Sequence, residues 1–314
     1  DHMLLQRDRP VKIWGWADPG ESVNVRFAGQ SVSTTASELG RWLVTLKPLT
    51  VAPPQDLTVA GKNTLTVRDV LVGEVWIGSG QSNMVWEVRQ SNNAAAEIAA
   101  AKYPDIRIFE VKLKASPVPL EDVEGVWKVC SPETIADFSA VGYYFSRHLH
   151  QQLRVPIGFI QTAWGGTPGQ SWISLPALAA DSSLISVYAD WGQAIENFPA
   201  ANARYEAALA KWEKTKQGNR PAAPMGPGHP HEPGSLYNAM IHPLLNYAIR
   251  GATWYQGESD SGKRRAYVYR RLFASMIQDW RNRWGQGDFP FLYVQLANFE
   301  NPGEWAELRE AQMM

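Results

Sequence analysis

Along residues 10–70 apolar and polar positions alternate in short runs. Val11–Trp16 and Ser22–Phe27 follow this period, and Arg41–Leu46 and Asn63–Val67 continue it. Turn residues punctuate the runs at Asp18-Pro19-Gly20, Ala28-Gly29, Leu39-Gly40 and Ala60-Gly61-Lys62-Asn63. Successive strand side chains point to opposite faces, so a period of two marks strands buried on one side. The pattern predicts a small β-sandwich over residues 1–70.

From about residue 70 the rhythm changes. Val70–Ile77 is an apolar run ending in Gly78-Ser79-Gly80, and Ile106–Val111, Val155–Ala163, Ile249–Tyr255 and Pro290–Leu296 are others. Between them lie helical stretches, among them Val141–Leu153 and Ala266–Trp284. Strands apolar on both faces, alternating with helices, indicate βαβ units around a parallel sheet. Residues 71–314 are therefore expected to form a second domain, of α/β class. Asn202–Gln217 reads as an exposed helix. Gly218–Gly234 carries Pro221, Pro224, Pro227, Pro230 and Pro233 and reads as a non-helical loop.

Composition narrows the function classes. A chain of 314 residues accommodates two domains, and a net charge of −1 gives no reason to expect nucleic acid as a partner. No apolar run approaches the ~18 residues that read as a membrane span. The single Cys130 excludes an internal disulfide and a cysteine-based zinc cluster. Fourteen Trp residues are an unusual number. Most are expected in the core, and a few are candidates to stack on sugar rings.

Three strand ends carry the polar groups: Gly80-Gln81-Ser82-Asn83-Met84, Trp164-Gly165-Gly166-Thr167-Pro168 and Trp254-Tyr255-Gln256-Gly257-Glu258-Ser259-Asp260. In open α/β sheets ligands bind at the carboxyl ends of strands. A hydroxyl, a Gly-Gly backbone and an amide brought together there are the parts that acyl transfer needs: a nucleophile and donors for an oxyanion. Each block alone is ordinary, since Ser and Gly are common turn residues. Met84 also departs from the Gly-x-Ser-x-Gly elbow.

Together the blocks resemble the sialate O-acetylesterase and acetylxylan esterase group of the SGNH hydrolases. The resemblance runs through Gly73–Met84, Val155-Pro156-Ile157-Gly158, Trp164–Pro168, Leu236–Ile241, Trp254–Ser259 and Trp305–Gln312, and extends to Asp1–Arg7. It implies a three-layer α/β/α SGNH-like fold with a parallel sheet, beside the small N-terminal β-sandwich. It implies a carbohydrate O-acetylesterase with an acetylated glycan as substrate, no cofactor or metal, and a secreted or periplasmic location. By the same resemblance Ser82 is the nucleophile. The oxyanion donors are the N–H groups of Ser82 and Gly166, the latter preferred to Gly165, and the Gln256 amide. Glu258 has two readings, orienting a catalytic histidine or bracing its loop. Trp86, Trp164 and Trp172 are the expected sugar contacts.

The resemblance fails at the base. The family places a histidine in an Asp-x-x-His segment, and none of His2, His148, His150, His229, His231 and His242 has Asp three residues before it. The base is accordingly expected outside a chain that stops at Met314. A hydroxyl without a base is a poor nucleophile, so a catalytically incomplete sugar-binding protein is the alternative. His229 and His231 suggest a metal pair, but no further ligand spacing supports one.

Overall fold

The computed structural model of the protein describes residues 1–262, 264–300 and 303–313. Its first part consists of strands β1 (Leu4–Gln6), β2 (Val11–Trp16), β3 (Ser22–Phe27), β4 (Gln30–Thr35), β5 (Arg41–Leu46) and β6 (Gln55–Ala60), followed by the long β7 (Thr64–Gly80). β2 and β5 pair antiparallel as a two-stranded sheet, while β3 pairs with β4 and β6, and β6 with β7. The alternating residues Val11, Ile13, Val23, Val25, Val44 and Leu46 meet in one apolar cluster shared by both sheets.

The expected boundary at residue 70 falls inside β7. The strand's first half pairs antiparallel with β6, and its second half lies at the centre of a parallel sheet. The change of partner coincides with a bulge, where the register jumps between Gln55/Val70 and Leu57/Val67. Asp69 sits in the bulge with a φ of +55°. Its carboxylate accepts hydrogen bonds from Arg107 at 2.6 and 3.2 Å and lies 2.6 Å from His2 Nδ1. Those contacts hold a backbone conformation that few residues other than Gly, Asn and Asp adopt.

After β7 come the helices α1 (Ser82–Val85) and α2 (Ala94–Ala100), strands β8 (Tyr103–Glu110) and β9 (Trp127–Cys130), and helices α3 (Pro132–Ile135) and α4 (Ala140–Leu153). Strand β10 (Ile157–Ala163), helices α5 (Leu175–Ala180) and α6 (Ile185–Thr215), strand β11 (Gly251–Tyr255), helix α7 (Arg265–Trp284), strand β12 (Phe291–Tyr293) and helix α8 (Trp305–Met313) complete the chain. The sheet order here is β9-β8-β10-β7-β11-β12, parallel throughout except for β9. All seven residues of β10 and the last eleven of β7 are buried, as strands covered on both faces must be. Val75, Ile77 and Ile160 face a cluster completed by Trp254, Met276 and Trp280, whereas Trp76 and Phe159 face one built with Ile135 and Tyr143. The result is a mixed, largely parallel sheet with helices on both faces.

Helix α4 starts where Ser139 Oγ accepts the Gly142 N–H at 3.0 Å, the ordinary N-cap bond. Helix α6 begins well before the expected Asn202 and continues through Pro199. Residues 218–234 contain no helix, in keeping with their prolines.

Candidate active site

The three polar blocks leave the ends of neighbouring strands, because Gly80 of β7 is paired with Ala163 of β10 on one side and Tyr255 of β11 on the other. The chain can pass between them only as glycine. Gly80 has a φ of +134°, and a Cβ on it would lie 2.1 Å from the Tyr255 carbonyl oxygen. The Gln81 N–H donates to that carbonyl at 3.0 Å and the Trp164 N–H to the Gly80 carbonyl at 3.0 Å, so the blocks are tied at their roots.

Ser82 then opens α1 and is exposed, while Met84 is buried beneath it. Ser139 Oγ donates to the Met84 carbonyl at 2.6 Å, anchoring α1 to α4. Gly165 packs against the serine, since a Cβ built on it would stand 3.7 Å from Ser82 Cβ. Gly166 is exposed with a φ of +76°. Among the described residues, neither the Ser82 hydroxyl nor the N–H groups of Gly165 and Gly166 hydrogen-bond within the protein. A hydroxyl beside exposed N–H donors can attack a carbonyl and hold the resulting oxyanion.

The loops are braced from behind. Gln81 is buried, and its Oε1 accepts the Gly257 and Ser259 N–H groups at 3.3 and 3.2 Å. Thr167, also buried, donates to the Trp164 carbonyl at 2.8 Å and accepts the Trp172 indole N–H at 3.0 Å. Asn83 Nδ2 donates to Glu258 Oε1, and Glu258 Oε2 is buried and accepts nothing. Burial raises the Glu258 pKa, partly offset by its own and the Gly257 backbone.

Two expectations need correction. The Gln256 amide is fully buried and gives its two hydrogens to Thr167 O at 3.2 Å and Asp260 Oδ2 at 2.6 Å, so none is left for an oxyanion. The reason is Asp260, whose buried carboxylate also accepts the Gly169 N–H at 2.8 Å. Burial raises the Asp260 pKa against those two donors. Trp172 is 0% exposed and packs edge-on to Trp254. It supports the Thr167 loop and offers no face to a sugar. Trp164 is half-buried and Trp86 exposed, so their rings remain accessible.

None of the six histidines hydrogen-bonds to Ser82. His150 and His242 are held by the carbonyls of Val155 and Leu120, each at 2.8 Å. His231, which the sequence left in a proline-rich loop, folds against the Gly-Gly turn. Its ring lies near the Gly166 backbone, which pushes its pKa up against burial; its carbonyl accepts Gln170 Nε2 at 3.0 Å, and its N–H donates to His229 Nδ1 at 3.1 Å. Burial lowers the pKa of both histidines. The sequence signal was the His-Pro-His triplet, but nothing local in it points to Gly166. Among the described residues no group of three or more His, Cys, Asp or Glu side chains is placed to hold a metal ion. No described helix is long and apolar enough to cross a membrane.

Comparison with known proteins adds three findings. The family model for carbohydrate esterases, sialic acid-specific acetylesterase, matches residues 72–314. The sialate O-acetylesterases of Mus musculus and Homo sapiens are 34% and 33% identical, over 95% and 94% of this chain. The chain spans 59% and 55% of those relatives' own lengths. The crystal structure of a carbohydrate acetylesterase from Xanthomonas citri superposes with a TM-score of 0.81 at 34% identity, covering 100% of this chain and 64% of that one.

Proposed function

The chain belongs to the sialic acid-specific acetylesterase family of carbohydrate esterases, and on that premise we propose that it takes part in hydrolysing acetyl esters on a sugar or polysaccharide, with Ser82 as nucleophile. The observation that carries the reading is the exposed Ser82 pressed against Gly165, beside N–H groups that have no acceptor among the described residues. In this reading Ser82 Oγ adds to the acetyl carbonyl, and the N–H groups of Ser82 and Gly166 receive the oxyanion. Loss of one such donor typically costs ~2.7–4 kcal/mol of transition-state stabilisation. Gln256 and Asp260 fix the donors' loop rather than touching the substrate. Glu258 braces Asn83 through Oε1, and its Oε2 is the acceptor offered to a histidine. That histidine, the general base, belongs in this proposal to the part of the longer relatives that residues 1–314 do not span. Trp86 and Trp164 are the sugar contacts.

The reading divides the protein into an N-terminal β-sandwich, about residues 1–70, and an SGNH-like domain beyond it. Family membership supports a secreted or periplasmic location. The test is acetate release from a panel of acetylated glycans by the full-length protein. Activity lost on Ser82→Ala is the expected result, and activity retained in that variant would overturn the assignment. Glycan binding without any acetate release would favour a sugar-binding protein instead.

A further inference from the structure

Away from the three site blocks, a cleft of two adjoining cavities opens where the N-terminal strands meet the rest of the chain. The cavities measure about 330 and 340 Å³ and share Trp14, Trp16 and Pro243. No residue of Gly80–Met84, Trp164–Pro168 or Trp254–Asp260 lines either of them. Volumes of this size are typical of small-molecule sites.

The wall is a chain of aromatic rings in mutual contact. Trp14 meets Tyr247 edge-on at 6.3 Å, Tyr247 meets Trp127 at 6.2 Å, and Trp127 meets Phe109 at 5.3 Å. The wall is also held in place, because the Tyr247 hydroxyl donates to the Leu4 carbonyl at 2.7 Å. Trp16 stands at the mouth and is 52% exposed. An exposed indole on a short paired strand is costly to leave in water, and rigid aromatic faces lose little entropy on binding.

The polar groups around the cleft carry both signs. Lys12 and Asp122 line one cavity, Arg41 and Glu121 the other, and Arg41 is ion-paired with Glu121. Lys12 Nζ donates to Asn246 Oδ1 at 3.4 Å. Two cations balance two anions, so the field selects no charged ligand. Donors and acceptors beside aromatic faces match a pyranose ring, whose C–H faces stack and whose hydroxyls both donate and accept. A protein partner fits less well. Trp16 and Leu43 are the exposed large apolar side chains lining the cleft, far short of the ~800 Å² per partner of a stable interface.

We propose that this cleft is a second, non-catalytic site that binds a neutral oligosaccharide chain, with Trp16 stacked on a pyranose ring and Lys12, Asn246 and Asp122 contacting its hydroxyls. The site would hold a glycan to the protein independently of the chemistry at Ser82.

The test uses the full-length protein carrying Ser82→Ala, so that binding is read without hydrolysis. It is titrated with xylohexaose, mannohexaose and the anionic sialyllactose, followed by tryptophan fluorescence and calorimetry. At least one neutral hexaose should bind, and Trp16→Ala should weaken that binding at least tenfold, as loss of a Trp anchor typically does. Trp86→Ala should leave the Trp16-dependent binding unchanged. With Ser82 intact, Trp16→Ala should keep its turnover of p-nitrophenyl acetate. Lys12→Ala gives a second, exposed substitution for the same contact. Three results would overturn the proposal: no neutral hexaose bound at 10 mM; binding unaffected by both Trp16→Ala and Lys12→Ala; or binding lost on Trp86→Ala alone, which would assign it to the catalytic cleft. Because the readout is binding by a Ser82→Ala protein, the esterase reading and this one fail separately.

Discussion

Gln81→Met isolates the brace beneath the candidate nucleophile. Methionine keeps the length and nearly the volume of glutamine but removes the oxygen that accepts the Gly257 and Ser259 N–H groups. Gln81 is 3% exposed and Gly257 is buried, so water cannot replace the lost acceptor without opening the loop. Leaving a buried donor unpaired costs roughly 1–3 kcal/mol. The bonds are long at 3.3 and 3.2 Å, and Ser259 is only half-buried, which places the sum at about 2–4 kcal/mol. For a large domain that corresponds to a melting-temperature drop of roughly 5–12 °C. Thermal and urea unfolding, followed by tryptophan fluorescence and far-ultraviolet dichroism, measure it directly. In the full-length protein the proposed acetate release should fall as well, because the loop carrying Glu258 is no longer tied to the residue before Ser82. A variant within 0.5 kcal/mol of the parent would refute the reasoning, since it would mean that neither N–H depends on Gln81.

Gly80→Ala should destabilise by more than ~2 kcal/mol, because it combines a disfavoured φ of +134° with a Cβ 2.1 Å from the Tyr255 oxygen; an unchanged melting temperature would contradict this. Asp279 is buried and accepts from Ser174 N–H and Oγ, each at 2.9 Å, and from Arg283 Nε at 2.7 Å. Asp279→Ala should cost about 3 kcal/mol in urea unfolding, the low end for a broken buried pair because Arg283 is partly solvated. Glu258→Gln tests the raised carboxyl. Its folded pKa lies above the ordinary 4.5, so the folded state binds the proton more tightly than the unfolded chain. The parent's stability relative to the variant should therefore fall as pH rises from about 4.5 through the raised value, and stay level above it. A relative stability that rises across that range in urea titrations would carry the wrong sign.

Local pattern was enough for the elements whose burial alternates or is complete. Val11–Trp16, Ser22–Phe27 and Arg41–Leu46 form strands with the expected ends, and the apolar runs after residue 70 became the parallel sheet. Strands β4 and β6 were not legible. Gln30–Thr35 is rich in Ser and Thr and lies at a sheet edge, where hydrogen bonds to β3 rather than a buried face make it a strand. The kink at Asp69, which lets one strand serve two sheets, depends on Arg107 and His2 arriving from elsewhere in the chain. The same division holds at the site. Residue type singled out Ser82 and the Gly-Gly turn as candidates, because a hydroxyl and a backbone free of side chains are properties of the residues themselves. Where an amide sends its hydrogens is not such a property. Gln256 was diverted by Asp260, Trp172 by the turn of Gly169–Trp172 that carries its ring into the core, and His231 reached Gly166 through a loop with no periodicity. Type and period are written along the chain, whereas a hydrogen bond or a buried face needs a partner that only tertiary packing supplies.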